Sequence, residues 1–248
     1  MKAILLAAGY GRRLSPITNN TPKCLLPVGG VAMLDHWMIK LSELGVTEFL
    51  INTHYLADQV KNHILKSRFR TRVSITYERQ LFGTAGTLNI NRDFLEGDDG
   101  FLVHVDNYCD DPLNGMIEAH ANRPKNKEVT VLVFESKTPQ ECGIFELDEY
   151  GEILRFYEKV PKPPGNLANG AVFLLSETFV KSAILGDTHD FSREVISSNL
   201  KKLNLYKVNG FFADIGTPVQ YRAVCKHVEG VEGYGFKSYG EKSSPENG

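Results

Sequence analysis

The segment that most constrains this chain is its start. Lys2-Ala3-Ile4-Leu5-Leu6-Ala7-Ala8 is a continuous apolar run that meets Gly9-Tyr10-Gly11-Arg12-Arg13. A strand buried on one face alternates apolar with polar residues, whereas an unbroken run belongs to a central parallel strand covered on both faces. Such a strand needs crossover helices, which commits the chain to an α/β architecture. The same run could open a secretory leader, but six apolar residues (Ala3–Ala8) ending in glycines and arginines are too few for that core.

The following segments keep to that plan. Helical spacing of Leu34, Trp37, Met38, Leu41 and Leu44 predicts a helix over Ala32–Leu44, and a strand at Phe49–Ile51 follows. A helix over Ala57–Lys66 precedes a strand at Val73–Tyr77, a helix at Thr84–Asn91, a strand at Phe101–Val105, a helix at Pro112–Asn122 and a strand at Val129–Phe134. This alternation predicts a Rossmann-like, mostly parallel sheet flanked by helices. After Pro139 the pattern changes. Gly143–Leu147 and Ile153–Tyr157 flank a turn-rich stretch and predict a β-hairpin, followed by a strand at Ala171–Leu175 and helices at Phe191–Leu200 and Val219–Val228. The expected layout is one domain over 1–229, with a half of alternating strands and helices over about 1–138 and a smaller, hairpin-containing half of about 139–229. A glycine- and serine-rich tail over 230–248 reads as flexible.

Charge narrows the function classes. With 28 basic against 30 acidic residues the net charge is −2, which argues against a nucleic-acid coat or an anionic-membrane binder. No apolar run approaches the roughly 20 residues of a membrane span. Four scattered cysteines without a Cys-x-x-Cys pair favour a reducing cytoplasm, and the seven histidines lack zinc-ligand spacing. His104 reads as a packed, hydrogen-bonded histidine, and Asp110-Asp111 as a solvated turn.

The glycine turn carries the first chemistry. Gly9 and Gly11 let the backbone approach a ligand and turn N–H groups toward an anion, and the two arginines add charge where a triphosphate would lie. A dinucleotide fingerprint fails because its third glycine would fall at Leu14, and a Walker loop fails because no Gly-Lys-Ser/Thr closes the segment. Thr21-Pro22-Lys23 then sets a single lysine among apolar and proline neighbours.

Taken together, Leu6–Leu14, Pro16, Thr18 and Pro22-Lys23 resemble the N-terminal motif of sugar-1-phosphate nucleotidyltransferases, of the mannose- and heptose-1-phosphate guanylyltransferase kind. Further pieces follow in family order: Glu78-Arg79-Gln80-Leu81-Phe82-Gly83-Thr84-Ala85-Gly86-Thr87, Val105-Asp106-Asn107, Cys142-Gly143, Phe156-Tyr157-Glu158-Lys159, Asn169-Gly170 and Asp214-Ile215-Gly216-Thr217-Pro218. The resemblance runs from Lys2 to about Tyr221. It departs at Val105, Cys142 and Val160, where the family usually has Gly, Tyr and Pro.

The resemblance implies that a sugar 1-phosphate attacks the α-phosphorus of a nucleoside triphosphate and expels pyrophosphate, with the anomeric configuration retained. Arg13, Lys23 and Lys159 would be the catalytic cations. Leu6, Ala8, Gly9, Gly11, Arg13, Lys23, Gln80, Gly83, Thr84 and Asp106 would hold the nucleotide, with Gln80 reading the base. Gly143, Glu158, Lys159 and Asn169 would hold the sugar phosphate, and Asp106 and Asp214 would bind Mg²⁺. GTP is the expected nucleotide; uridylyl or cytidylyl transfer is the alternative within the family. Outside it stand a metal-dependent glycosyltransferase, which would consume a nucleotide sugar, and a regulatory nucleotide-sugar-binding module without turnover. Neither nucleic acid nor membrane is an expected partner, and the oligomeric state stays open.

Overall fold

The computed structural model describes residues 1–182 and 188–230. Thirteen strands and six α-helices follow in chain order. They are β1 (Lys2–Leu6), β2 (Pro27–Val28), β3 (Val31–Ala32), α1 (Met33–Glu43), β4 (Glu48–Thr53), α2 (Ala57–Lys66), β5 (Val73–Tyr77), α3 (Gly83–Asn91), β6 (Gly100–His104), β7 (Asn107–Cys109) and α4 (Asn114–Ala121). After them come β8 (Val129–Glu135), β9 (Gly143–Leu147), β10 (Ile153–Glu158), β11 (Leu167–Leu175), α5 (Glu177–Ser182), β12 (Leu203–Lys207), β13 (Phe212–Asp214) and α6 (Pro218–Gly230). A single turn of π-helix, Phe191–Ile196, lies before β12.

The first half forms a parallel block ordered β6-β1-β4-β5. Its central strand explains the apolar start of the chain. Ala3 and Leu5 point into a core with α1, α2 and α4, while Ile4 points into another with α3, α5 and Phe191. Both faces are covered, so neither can be polar. Beyond β6 the long strand β11 runs antiparallel, and it carries β8 and then β12 on one course and β9-β10 on another. The predicted hairpin is present with Glu158 opposite Gly143, and it continues the same nine-stranded sheet through Ala168 opposite Ile144.

Some elements differ from the expectation. β7, β12, α5 and the β2–β3 ribbon had no reading in the sequence, and the helix expected over Phe191–Leu200 is a π-turn over its first six residues. The expected tail lies, apart from Gly230, outside the described residues. Among the described residues no helix is long and apolar enough to cross a membrane.

Candidate active site

Two short devices at the C-terminal edge of the sheet build the site. The first is the glycine turn after β1. Gly11 adopts the left-handed conformation (φ 65°), and a Cβ there would stand 2.9 Å from Thr18 Cγ2 and 3.3 Å from Lys23 Cβ, so only glycine fits. Thr18 Oγ1 donates to the Gly11 carbonyl at 2.8 Å and pins the turn. The second device is the two-stranded β7–β13 ribbon, which sets Asp214 opposite Asn107. Ile215 N–H donates to the Asp106 carbonyl at 2.9 Å. Two acids far apart in sequence are thereby made neighbours.

A small core locks the two devices together. Leu14, next to Arg13, and Ile215, next to Asp214, are both fully buried in a cluster with Tyr108, Val224 and Val228. In consequence a Cβ on Gly216 would stand 3.0 Å from both Arg13 Nη2 and Asp214 Oδ2. Lys23 Nζ donates to Asp106 Oδ2 at 2.5 Å. Arg13, Lys23, Asp106 and Asp214 therefore surround one spot.

The two acids feel opposite fields. Burial would raise the Asp106 carboxyl, but the neighbouring charges of Lys23 and His104 and the Lys23 hydrogen bond outweigh it and hold it below the usual carboxylate range. Asp214 is pushed above that range, by burial first and by the Asp106 charge second, against the pull of Lys23 and Arg13.

A cavity of about 220 Å³ opens beside this cluster. Of the residues expected at the nucleotide, Leu6, Ala8, Gly9, Lys23, Gly83, Thr84 and Asp106 line it. Arg13 and Gly11 flank it instead. Gln80 is exposed and stands outside the lining, while Glu78, two residues earlier, is buried within it at 2% exposure. Glu78 Oε1 accepts from Thr87 Oγ1 at 2.6 Å and Asn52 Nδ2 at 2.8 Å, and Oε2 accepts from Phe82 N–H at 3.2 Å. Asn52 Oδ1 in turn accepts from Ala7 N–H at 2.7 Å, tying this carboxyl to β1. Thr84 Oγ1 is already engaged, accepting from Phe191 N–H at 2.7 Å.

The residues expected at the sugar gather on the hairpin side. A Cβ on Gly143 would stand 2.6 Å from Glu158 Oε2 and 2.3 Å from Phe156 Cζ, so the glycine makes room for the acid opposite it. Burial raises the Glu158 carboxyl, Lys159 opposes that, and Asp190 adds to it. Lys159 is left-handed (φ 52°), its Nζ 3.6 Å from Glu158 Oε1 and its side chain 59% exposed. Asn169 Oδ1 accepts from Ala171 N–H at 2.9 Å, and its Nδ2 donates to Ser192 Oγ at 3.0 Å.

Two histidine and acid readings are corrected here. His104 lines the cavity, and its buried Nε2 has no hydrogen-bond partner among the described residues; burial lowers its imidazole below the usual value. Asp110 and Asp111 are anchors and not a solvated turn. Asp110 Oδ2 meets His227 Nε2 at 2.8 Å, while Asp111, 7% exposed, accepts from the N–H groups of Leu113 at 2.9 Å and Asn209 at 3.1 Å. Sequence reading gave no role to Asn52 or Asp190, and took Glu78 only as the head of the Glu-x-x-Leu-x-Gly-Thr-Ala-Gly segment, with the base contact given to Gln80. A polar Asn52-Thr53 pair closing the apolar run of β4 was the available signal for Asn52.

The nucleotidyl transferase family model matches residues 2–230. The chain belongs to this family. Among its curated relatives is mannose-1-phosphate guanyltransferase beta-A of Xenopus laevis, 29% identical over 239 residues, which cover 93% of this chain and 66% of that protein. The mannose-1-phosphate guanylyltransferase catalytic subunit beta of Dictyostelium discoideum is 28% identical, covering 89% of this chain and 62% of its own length. The chain thus spans somewhat under two thirds of these relatives. A crystal structure from Bacillus anthracis, provisionally named a glucose-1-phosphate thymidylyltransferase and bound to a sucrose, superposes with a TM-score of 0.77 at 25% identity, covering 93% of this chain and 96% of that one. HddC from Yersinia pseudotuberculosis complexed with GMP-PN has the same fold at a TM-score of 0.74 and 21% identity, covering 91% and 98%.

Proposed function

We propose that this chain transfers a guanylyl group from GTP to a sugar 1-phosphate, giving a GDP-sugar and pyrophosphate. The observation that carries the reading is that Arg13, Lys23, Asp106 and Asp214 form one cluster, of which Lys23 and Asp106 line the cavity. A phosphate oxygen of the sugar phosphate attacks the α-phosphorus, its P–O bond forming as the α–β bridge breaks and pyrophosphate leaves. The attacking group is already an anion, so no side-chain nucleophile is needed. What the protein must supply is positive charge where the transition state gathers negative charge. Lys23 stands by the α-phosphate and Arg13 by the leaving group.

Asp106 and Asp214 would hold Mg²⁺. Two carboxylates are hard oxygen donors, which suits an ion that completes its shell with phosphate oxygens and water. The raised Asp214 carboxyl, destabilised beside Asp106, fits a place where a cation belongs. When bound, the ion would neutralise charge on the triphosphate. Lys159, Glu158, Asn169 and the Gly143 backbone would take the sugar phosphate.

Guanine is favoured by the names of the curated relatives and by Glu78. Its Oε2 accepts from Phe82 N–H and has room for one further donor in the cavity wall, which suits a base edge that presents an N–H, such as the N1–H of guanine. We assign the base contact to Glu78 in place of the exposed Gln80. The test is a pyrophosphate-release screen of GTP, UTP, CTP, ATP and dTTP against aldose 1-phosphates, with and without Mg²⁺. GTP with one aldose phosphate and Mg²⁺ should give the highest kcat/KM. Release that needs no sugar phosphate, or a different best nucleotide, would overturn the transfer or the base assignment respectively.

A further inference from the structure

Asn107, outside every role assigned above, links the acid pair to the strand that carries Asn169. Asn107 follows Asp106 directly and is 7% exposed. Its backbone pairs across the ribbon with Asp214. Its Nδ2 donates to the Gly170 carbonyl at 3.0 Å and to the His104 carbonyl at 3.3 Å. Gly170 is the neighbour of Asn169 on the irregular part of β11, where the register slips between Asn169 and Phe173. A Cβ on Gly170 would collide with Leu132 at 2.4 Å, so this carbonyl is held in a tight place. The Asn107 carbonyl accepts from Trp37 Nε1 at 2.7 Å. Trp37 belongs to α1, the helix packed on the turn that carries Lys23.

We infer that Asn107 is a positioning residue that fixes the distance between the acid pair and the sugar pocket. The two N–H groups of one planar amide bridge the β6–β7 turn to the β11 bulge. With Asp106 on one side and Asn169 beyond Gly170 on the other, a shift of the amide moves both together. Lengths of hydrogen bonds, and not a second charge, would then set where the attacking phosphate meets the α-phosphorus. Misplacement of about 1 Å can lower turnover on the order of 100-fold. The inference rests on the transfer reaction proposed above for its kinetic consequence, and on the structure alone for the coupling.

The test compares wild-type protein with Asn107→Ser and, should that variant fold poorly, Trp37→Phe, which frees the Asn107 carbonyl and leaves its amide in place. With GTP and mannose 1-phosphate as probes, Asn107→Ser should raise KM for the sugar phosphate about tenfold and lower kcat by about tenfold, with KM for GTP changed less than about twofold. A loss of active fraction would lower kcat alone and leave both KM values unchanged, which would overturn the inference. Hydrogen–deuterium exchange of the ligand-free proteins gives a readout free of turnover. Protection should fall in both Phe212–Ile215 and Asn169–Val172; a change in neither, or in one only, sinks the coupling. A wild-type protein that releases no pyrophosphate sinks the transfer reading and leaves the exchange comparison to decide on Asn107.

Discussion

Asp106 and Asp214 face the same spot, yet their neighbours treat them differently. Lys23 gives Asp106 a close partner, while Asp214 has a 3.4 Å hydrogen bond from Gly216 N–H and the pull of Lys23 and Arg13 against burial and a like charge. A carboxyl whose folded value lies above its unfolded one contributes stability that is present at low pH and lost as pH rises through the folded value. At neutral pH the ionised Asp214 is therefore a strain on the ligand-free fold. Asp214→Asn should raise the melting temperature at pH 7 by roughly 2–4 °C, as expected for a gain of about 1 kcal/mol in a chain of this size. The gain should vanish when both proteins are melted below the ordinary carboxylate range. The same variant should lose at least about 100-fold in pyrophosphate release. A lower melting temperature at pH 7 would show that Asp214 is a structural cap.

At the scale of elements, the hairpin β9–β10 and the ribbon β7–β13 do most of the positioning. Gly143 tests the first. Gly143→Ala would drive a methyl against Glu158 and Phe156, where no space exists. We expect KM for the sugar phosphate to rise about tenfold with KM for GTP little changed; equal rises in both would show that Glu158 does not belong to the sugar pocket. These elements also mark what the sequence reveals. β1, α2, β5 and the hairpin were legible because each carries its own periodicity or turn residues over several positions. The motif residues Gly9, Lys23, Asp106 and Gly143 were legible through resemblance. The three-residue β7 and β13 were not read as a pair, since neither has a pattern of its own and they hold only because Leu14, Ile215 and α6 share a core. Glu78 was passed over for Gln80 for a similar reason. Which of two polar residues after β5 turns inward is decided by Asn52 and Thr87, partners that lie elsewhere in the chain.

For the whole molecule, β11 is the decisive strand. It pairs with β6 of the parallel block and with β8 and β9 of the second half, so the sheet is unbroken from β5 to β10. Leu174 and Phe173 are buried in two separate clusters, each of which holds residues of both halves. Calorimetry should therefore record a single transition with equal calorimetric and van't Hoff enthalpies. Two resolved transitions would mean that the second half unfolds by itself.

The ribbon has a consequence for a chain still being made. As synthesis proceeds, the segments bearing Arg13, Lys23 and Asp106 leave the ribosome well before β13 does. Asp106 then has its lysine but no fellow acid, and Leu14 lacks Ile215 to pack on. An unfinished polypeptide consequently has no means of assembling the paired carboxylates, and that assembly waits on the arrival of β13.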